Sequence, residues 1–265
     1  MACGVKKIAP SRLLRLARPA GLALVLAACS PGHPEKAEDP DAYMHAQGYA
    51  SAPQITSVAA GAAGMIAITG KALPGARVRI QYDGGHNAGI TADSRGGYRA
   101  DLPLPAQGAL YDISTEDSGR QMPAEGRLFV PSSAPAKAVI LRAGLPGRML
   151  GDETESLAVM DFDGGGALVL SGKVAPKTEV TLDVDNQGTA SVVSDARGGY
   201  YLQVKVSPPA EGTTMSLSLV AGGVNVRKVL PFANAASGDR ITPVDGGWRV
   251  DWAVPGGGMQ TTVVY

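Results

Sequence analysis

Two cysteines, three histidines, two tryptophans and a few closely spaced acids are the residues of this 265-residue chain that could do chemistry. The cysteines are Cys3 and Cys29. Before Cys29 the chain runs from a basic stretch (Lys6, Lys7, Arg12, Arg15, Arg18, with no acid) into Gly21-Leu22-Ala23-Leu24-Val25-Leu26-Ala27-Ala28. That apolar run falls short of the roughly 20 residues a transmembrane helix needs. Basic, then apolar, then small is the order of a secretory signal peptide, so this stretch is expected to leave the mature chain and to take Cys3 with it. The histidines promise less. His33 and His45 lie in a tract rich in proline and acids, and His86 in a glycine-rich turn. A zinc site or a Ser-His-Asp set needs histidine fixed by structured neighbours, which none of these positions offers. The chain is expected to be non-enzymatic, with no cofactor and no metal.

The tetrapeptide Leu26-Ala27-Ala28-Cys29 resembles the lipobox of bacterial lipoproteins. The resemblance implies cleavage before Cys29, a diacylglyceryl thioether on its sulfur and, in most members, a third acyl chain on the new amino group. Each buried methylene contributes about 0.8 kcal/mol, so two chains give stable anchoring. Ser30 stands where an aspartate would imply inner-membrane retention, so in a Gram-negative host the resemblance implies the outer membrane, facing the periplasm or the surface. The lipid bilayer is then one expected partner. With Cys29 acylated, the mature domains have neither a free thiol nor a disulfide, although the compartment is oxidising.

Three further groups could bind a ligand. Asp183-Val184-Asp185-Asn186-Gln187-Gly188 resembles the first half of an EF-hand loop, but the closing glutamate is missing and position twelve is Ser194. A hairpin turn accounts for it equally well. Asp161-Phe162-Asp163, followed by three glycines, is a second acid pair near a strand end. Asp93-Ser94-Arg95-Gly96-Gly97-Tyr98 recurs as Asp195-Ala196-Arg197-Gly198-Gly199-Tyr200. It reads as a turn in which aspartate accepts backbone N–H groups and glycine supplies positive φ. Trp248 and Trp252, four apart, share one face of a strand with Val250 between them. That face is expected to close a sandwich as an edge hairpin, with Arg249 and Asp251 outward. The alternative is an exposed pair that stacks on sugar rings.

Composition narrows the partners. Once the five cations of the leader are removed, 19 basic and 24 acidic residues remain, a net −5. That balance carries no electrostatic footprint for nucleic acid and no basic patch for anionic lipid. Residues 30–53 carry Pro31, Pro34, Pro40, Pro53 and four acids without a hydrophobic period, and read as a disordered tether with an r.m.s. span of roughly 25–30 Å.

The elements that must position these residues come from an internal repeat. Thr69-Gly70-Lys71 recurs as Ser171-Gly172-Lys173, Val78-Arg79-Ile80 as Val180-Thr181-Leu182, and Leu128 as Leu230, each 102 residues on. Each copy divides into seven short alternating segments. They lie at 55–60, 65–72, 77–82, 89–92, 98–104, 110–116 and 126–130, and at 157–163, 167–174, 179–184, 189–194, 200–206, 214–220 and 224–230. With 35 glycines and 19 prolines between them, the segments predict an all-β chain of β-sandwiches. The Gly-Lys strand and the Asp-x-x-Gly-x-Tyr turn make both copies resemble bacterial immunoglobulin-like and carboxypeptidase-regulatory-like modules. The expected layout is a signal peptide (1–28), a lipidated tether (29–53), a first sandwich (54–131), a linker with an extra strand (132–156), a second sandwich (157–232) and a C-terminal β-hairpin (241–265) packed on it. The function expected first is that of an envelope scaffold, spacer or adhesion module with an unidentified protein or glycan partner. The alternatives are glycan or peptidoglycan binding through Trp248 and Trp252, and an accessory role in secretion or surface assembly.

Overall fold

The computed structural model describes residues 51–265, except 118, 186, 208, 209 and 232. Cys29, the leader, most of the tether, His33 and His45 lie outside the described residues. Among the described residues, twenty strands form four antiparallel sheets. Sheet I is β1 (Gln54–Ala60), β2 (Met65–Lys71) and β5 (Gly97–Pro103), in that order. Sheet II runs β10 (Arg148–Met149), β9 (Val139–Leu141), β8 (Arg127–Val130), β6 (Ala109–Asp117), β3 (Arg77–Tyr82), β4 (His86–Thr91), with β7 (Arg120–Pro123) also on β6. Sheet III runs β15 (Gly199–Lys205), β12 (Ala167–Lys173), β11 (Val159–Asp163), β20 (Met259–Val264), β19 (Gly247–Ala253), β18 (Arg240–Val244). Sheet IV runs β14 (Gly188–Val193), β13 (Glu179–Val184), β16 (Thr214–Ala221), β17 (Val224–Pro231).

Alternation builds the strands that face a core on one side only. In β3, Val78 and Ile80 are fully buried while Arg77, Arg79 and Gln81 are exposed, and β13 repeats the pattern with Val180 and Leu182. Sheets I and II enclose the first core: Ile55, Ile66, Ile68 and Leu102 meet Val78, Ile80, Tyr111, Leu128 and Ile140. Sheets III and IV enclose the second: Met160, Leu168, Leu170 and Leu202 meet Val180, Leu182, Leu217 and Leu219. The protein is thus all-β, with two tandem sandwiches.

A third core joins them. Leu110, Phe129, Val139 and Leu141 on the back of sheet II pack against Val159, Val250, Trp252 and Val264 on the back of sheet III. Four sheets therefore stack in the order I, II, III, IV, and the described chain falls within one compact unit. The inner sheets have no wet side where they meet. This is why β9 is buried at all three residues and β20 from Gln260 to Val264, the continuous burial expected of a strand covered on both faces.

Strands without a counterpart in the repeat complete this junction beside β6, β8 and β11. β9 and β10 extend sheet II beyond β8, and β20, β19 and β18 extend sheet III beyond β11. The terminal segments join sheet III: β20 pairs with β11 from Val159↔Val264 to Asp163↔Gln260, and β18 adds a third strand to β19 and β20. The outer face of sheet I is polar, whereas that of sheet IV mixes polar residues with exposed Val193, Val220 and Val229. Ser57 and Thr69 share a hydrogen bond (2.6 Å) on sheet I, as do Thr181 and Ser191 (3.0 Å) on sheet IV.

Candidate functional site

The repeated Asp-x-Arg-Gly-Gly-Tyr is a lock between strands in both copies. Asp93 Oδ1 accepts from the backbone N–H of Arg95 (2.7 Å) and Gly97 (2.9 Å). Asp195 Oδ1 accepts likewise from Arg197 (2.6 Å) and Gly199 (3.0 Å). These bonds hold both carboxyls below the usual aspartate range. Gly96 and Gly198 sit at φ +79° and +86°, and a Cβ there would lie 2.2 Å from Ala72 O and 2.0 Å from Val174 O. The tyrosines that follow reach 44 residues back: Tyr98 Oη donates to Gln54 O (2.9 Å) and Tyr200 Oη to Ser156 O (2.5 Å). Gly70 and Gly172 leave room for those contacts; a Cβ on Gly70 would fall 2.1 Å from Gln54 O and 2.3 Å from the Tyr98 ring. The motif's aspartates and tyrosines are spent on backbone groups, and its arginines, Arg95 and Arg197, are exposed.

The other acids are engaged too. Asp185, at φ +46°, accepts from Ser216 N (2.9 Å) through Oδ1, and its own N–H donates to Ser216 O (3.0 Å), so it ties the β13–β14 turn to β16. Asp163 Oδ1 accepts from Gly165 N and Ala167 N (2.9 Å each) and closes the β11–β12 turn. His86 is exposed and stacks on Tyr82 with ring centres 5.8 Å apart. Among the described residues, no three His, Cys, Asp or Glu side chains are grouped to hold a metal, and no helix is long and apolar enough to cross a membrane.

Trp248 and Trp252 do lie on one face of β19, and that face looks into the junction between sandwiches. Trp252 is 1% exposed, and Trp248 packs half-buried at the rim of the same cluster. A ring enclosed as Trp252 is offers no face to a sugar. Its Nε1 donates instead to Thr262 Oγ1 (3.1 Å), and Thr262 Oγ1 donates to Asp161 Oδ1 (2.6 Å). Asp161 also accepts from Gln260 Nε2 (3.2 Å) and, through Oδ2, from Gly147 N (2.8 Å). Burial raises its carboxyl above the ordinary aspartate range, against the pull of these donors. This buried polar chain crosses from sheet III to the β9–β10 loop and fixes the register of the apolar contact. Two rim contacts add to it. Arg127 pairs with Asp112 on its own sandwich (2.7 Å) and Asp239 on the other (2.7 Å), and Lys137 Nζ donates to Tyr265 O (3.2 Å).

The sequence reading placed Arg249 and Asp251 outward. Both are instead covered, at 13% and 1% side-chain exposure, because β19 lies between β18 and β20 and its second face looks toward sheet IV. Asp251 Oδ1 accepts from Arg249 Nε (3.0 Å) and Thr261 Oγ1 (2.7 Å), and Oδ2 from Arg240 Nη2 (3.0 Å). Arg249 Nη2 also donates to Ala233 O (2.7 Å). The only sequence signal for this group was the alternation itself: charges at 249 and 251 between apolar residues at 248, 250 and 252.

No known protein family and no curated protein sequence matches the chain. Solved structures similar to it include the BSP domain of a biofilm-associated protein (13% identity, TM-score 0.22), where the match covers 70% of this chain and 30% of that one. A Ca2+-stabilized adhesin that helps an Antarctic bacterium reach out and bind ice matches at 15% identity and TM-score 0.23, over 79% of this chain and 83% of that one. The central fibronectin-III array of RIM-binding protein matches at 12% identity and TM-score 0.26, over 79% and 76%.

Proposed function

We propose that this chain is a non-enzymatic envelope scaffold: a rigid double sandwich that holds a partner at a set distance from the outer membrane, to which lipid on Cys29 anchors it. The observation that carries this reading is the third core. A tandem of sandwiches joined only by a linker swings, whereas burying Phe129, Leu141, Val250 and Trp252 against one another makes two modules one body. Large apolar contact between modules is the condition under which relative motion stops being the default. Rigidity serves a spacer or a scaffold and does nothing for a loose tether.

Three measurements test the reading in turn. Spin labels at Arg99→Cys on sheet I and Ser191→Cys on sheet IV should give one narrow distance distribution; a broad one overturns the rigid spacer. Pulldown from detergent-solubilised envelope should recover protein partners, and retention by cell-wall material alone would replace the scaffold with a glycan binder. Intact mass of the membrane-fraction protein should show a diacylglyceryl adduct on Cys29, and an unmodified mass removes the anchor.

A further inference from the structure

Sheet III is wider than the sheet that covers it. It has six strands against four in sheet IV, and three of the six are the added β20, β19 and β18. Under this overhang lies a pocket of about 290 Å³. Its apolar wall is Met160, Phe162, Met215, Leu230, Val244 and Val263, and its polar end is Arg240, Arg249 and Thr261. Small-molecule sites run to about 300–1,000 Å³, and an engineered apolar cavity of about 150 Å³ already takes up benzene. The space therefore suits a small ligand with one hydrocarbon tail.

The polar end selects a charge. Two guanidinium groups share one carboxylate, Asp251, whose two oxygens are both occupied. Of the nearby acids, Asp239 pairs with Arg127, and Glu211 accepts from Asn234 Nδ2 (3.2 Å). Arg249 commits Nε and Nη2 and Arg240 commits Nε and Nη2, so among the described residues each keeps Nη1 without a protein acceptor. Arg240 stands at the mouth, with its side chain 52% exposed. Unspent guanidinium donors, set beside enclosed apolar surface, are complementary to a carboxylate carrying an apolar chain.

We propose that the pocket between β17, β18 and β20 binds a small monocarboxylate with a single unbranched apolar tail, its head on Arg240 and Arg249 and its tail among Met160, Met215 and Leu230. Calorimetric titration of the full chain with decanoate and decyltrimethylammonium, each below its micelle concentration, and with decanol below its solubility limit tests this. Decanoate should bind saturably, one per chain. Decanol should bind about ten-fold more weakly, the size of one charge-assisted hydrogen bond, and the cation should not bind. Val244→Trp, which fills the pocket, should abolish decanoate binding. Arg240→Gln, a change at an exposed position, should bring decanoate down to the affinity of decanol. Equal affinity for decanoate and decanol, decanoate binding that survives Val244→Trp, or no saturable binding of decanoate overturns the proposal.

Discussion

The two copies of the repeat are built alike and used in opposite ways. Copy one turns its β8-side sheet inward and leaves sheet I to solvent. Copy two turns its β11-side sheet inward and leaves sheet IV to solvent. Equivalent positions show how this is specified. Ser57 on β1 faces water and hydrogen-bonds Thr69, whereas its counterpart 102 residues on, Val159, lies in the junction at 0% exposure. Small changes on one face of a shared sandwich, together with added strands at one edge, decide which sheet becomes interior. The repeat motif itself, spent on turns and tyrosine contacts, is indifferent to that choice.

The comparison is best broken at the junction. Trp252→Ala or Phe129→Ala should cost about 3–5 kcal/mol, the range for truncating a large buried aromatic. In chemical denaturation, the single transition should split in two as the sandwiches uncouple. A next step down, Gly70→Ala and Gly172→Ala insert a methyl where none fits, with an expected loss of about 1–3 kcal/mol each. Gly70 should suffer more, because its Cβ meets both a carbonyl (2.1 Å) and the Tyr98 ring (2.3 Å), whereas Gly172 meets Ser156 O at 2.4 Å and the Tyr200 hydroxyl only at 3.0 Å. Tyr98→Phe and Tyr200→Phe should each cost about 1 kcal/mol, the net worth of one hydrogen bond. Near-equal values would confirm that the lock is the same in both copies, and thermal melts of the two variants side by side read it.

The pH response separates junction from repeat by sign. Asp161 titrates above the ordinary aspartate range when folded, so the folded state binds its proton more tightly than the unfolded chain does. Its contribution is fully present below the ordinary range and is lost as pH rises through the raised value. Asp93 and Asp195 titrate below the ordinary range. Their contribution is present above that range and lost as pH falls through the lowered values. Asp161→Asn should flatten the loss of stability on going from acid toward neutral pH, and Asp93→Ala with Asp195→Ala should flatten the loss toward acid. Denaturation midpoints across pH check both directions.

Much of the sandwich architecture was legible in the residues. Val78/Ile80 and Val180/Leu182 alternate, and the strands predicted at 77–82 and 179–184 are the strands observed, Arg77–Tyr82 and Glu179–Val184. What periodicity cannot say is which sheet a fully buried strand joins. Residues 138–141 are apolar throughout, because both their faces are covered, and a run without alternation carries no directional signal; the apolar-polar alternation read over 259–265 does not show that both faces of 260–264 are covered. Arg120–Pro123 is too short to stand out, and Arg240–Val244 carries Pro243 in an edge strand. The Trp248/Trp252 pairing on one face was legible; what that face meets was not, since the surface opposite it comes from Phe129 and Leu141, more than 100 residues away. The arginine pair at the pocket was hidden for the same reason: Asp251 gathers Arg240 and Arg249 only once β18 and β20 have taken their register.

The third core also bears on how such a chain could be cut and recombined. Tandem sandwiches are often treated as cassettes, to be excised at a linker and moved between proteins. Here any break between residues 141 and 157 would leave Phe129, Val139 and Leu141 on one fragment and Val159, Val250 and Trp252 on the other. Each piece would carry a bare apolar sheet into water, an invitation to aggregate. Recombination is thus confined to exchanging the pair whole, and the unit that is inherited is the doublet, not the domain.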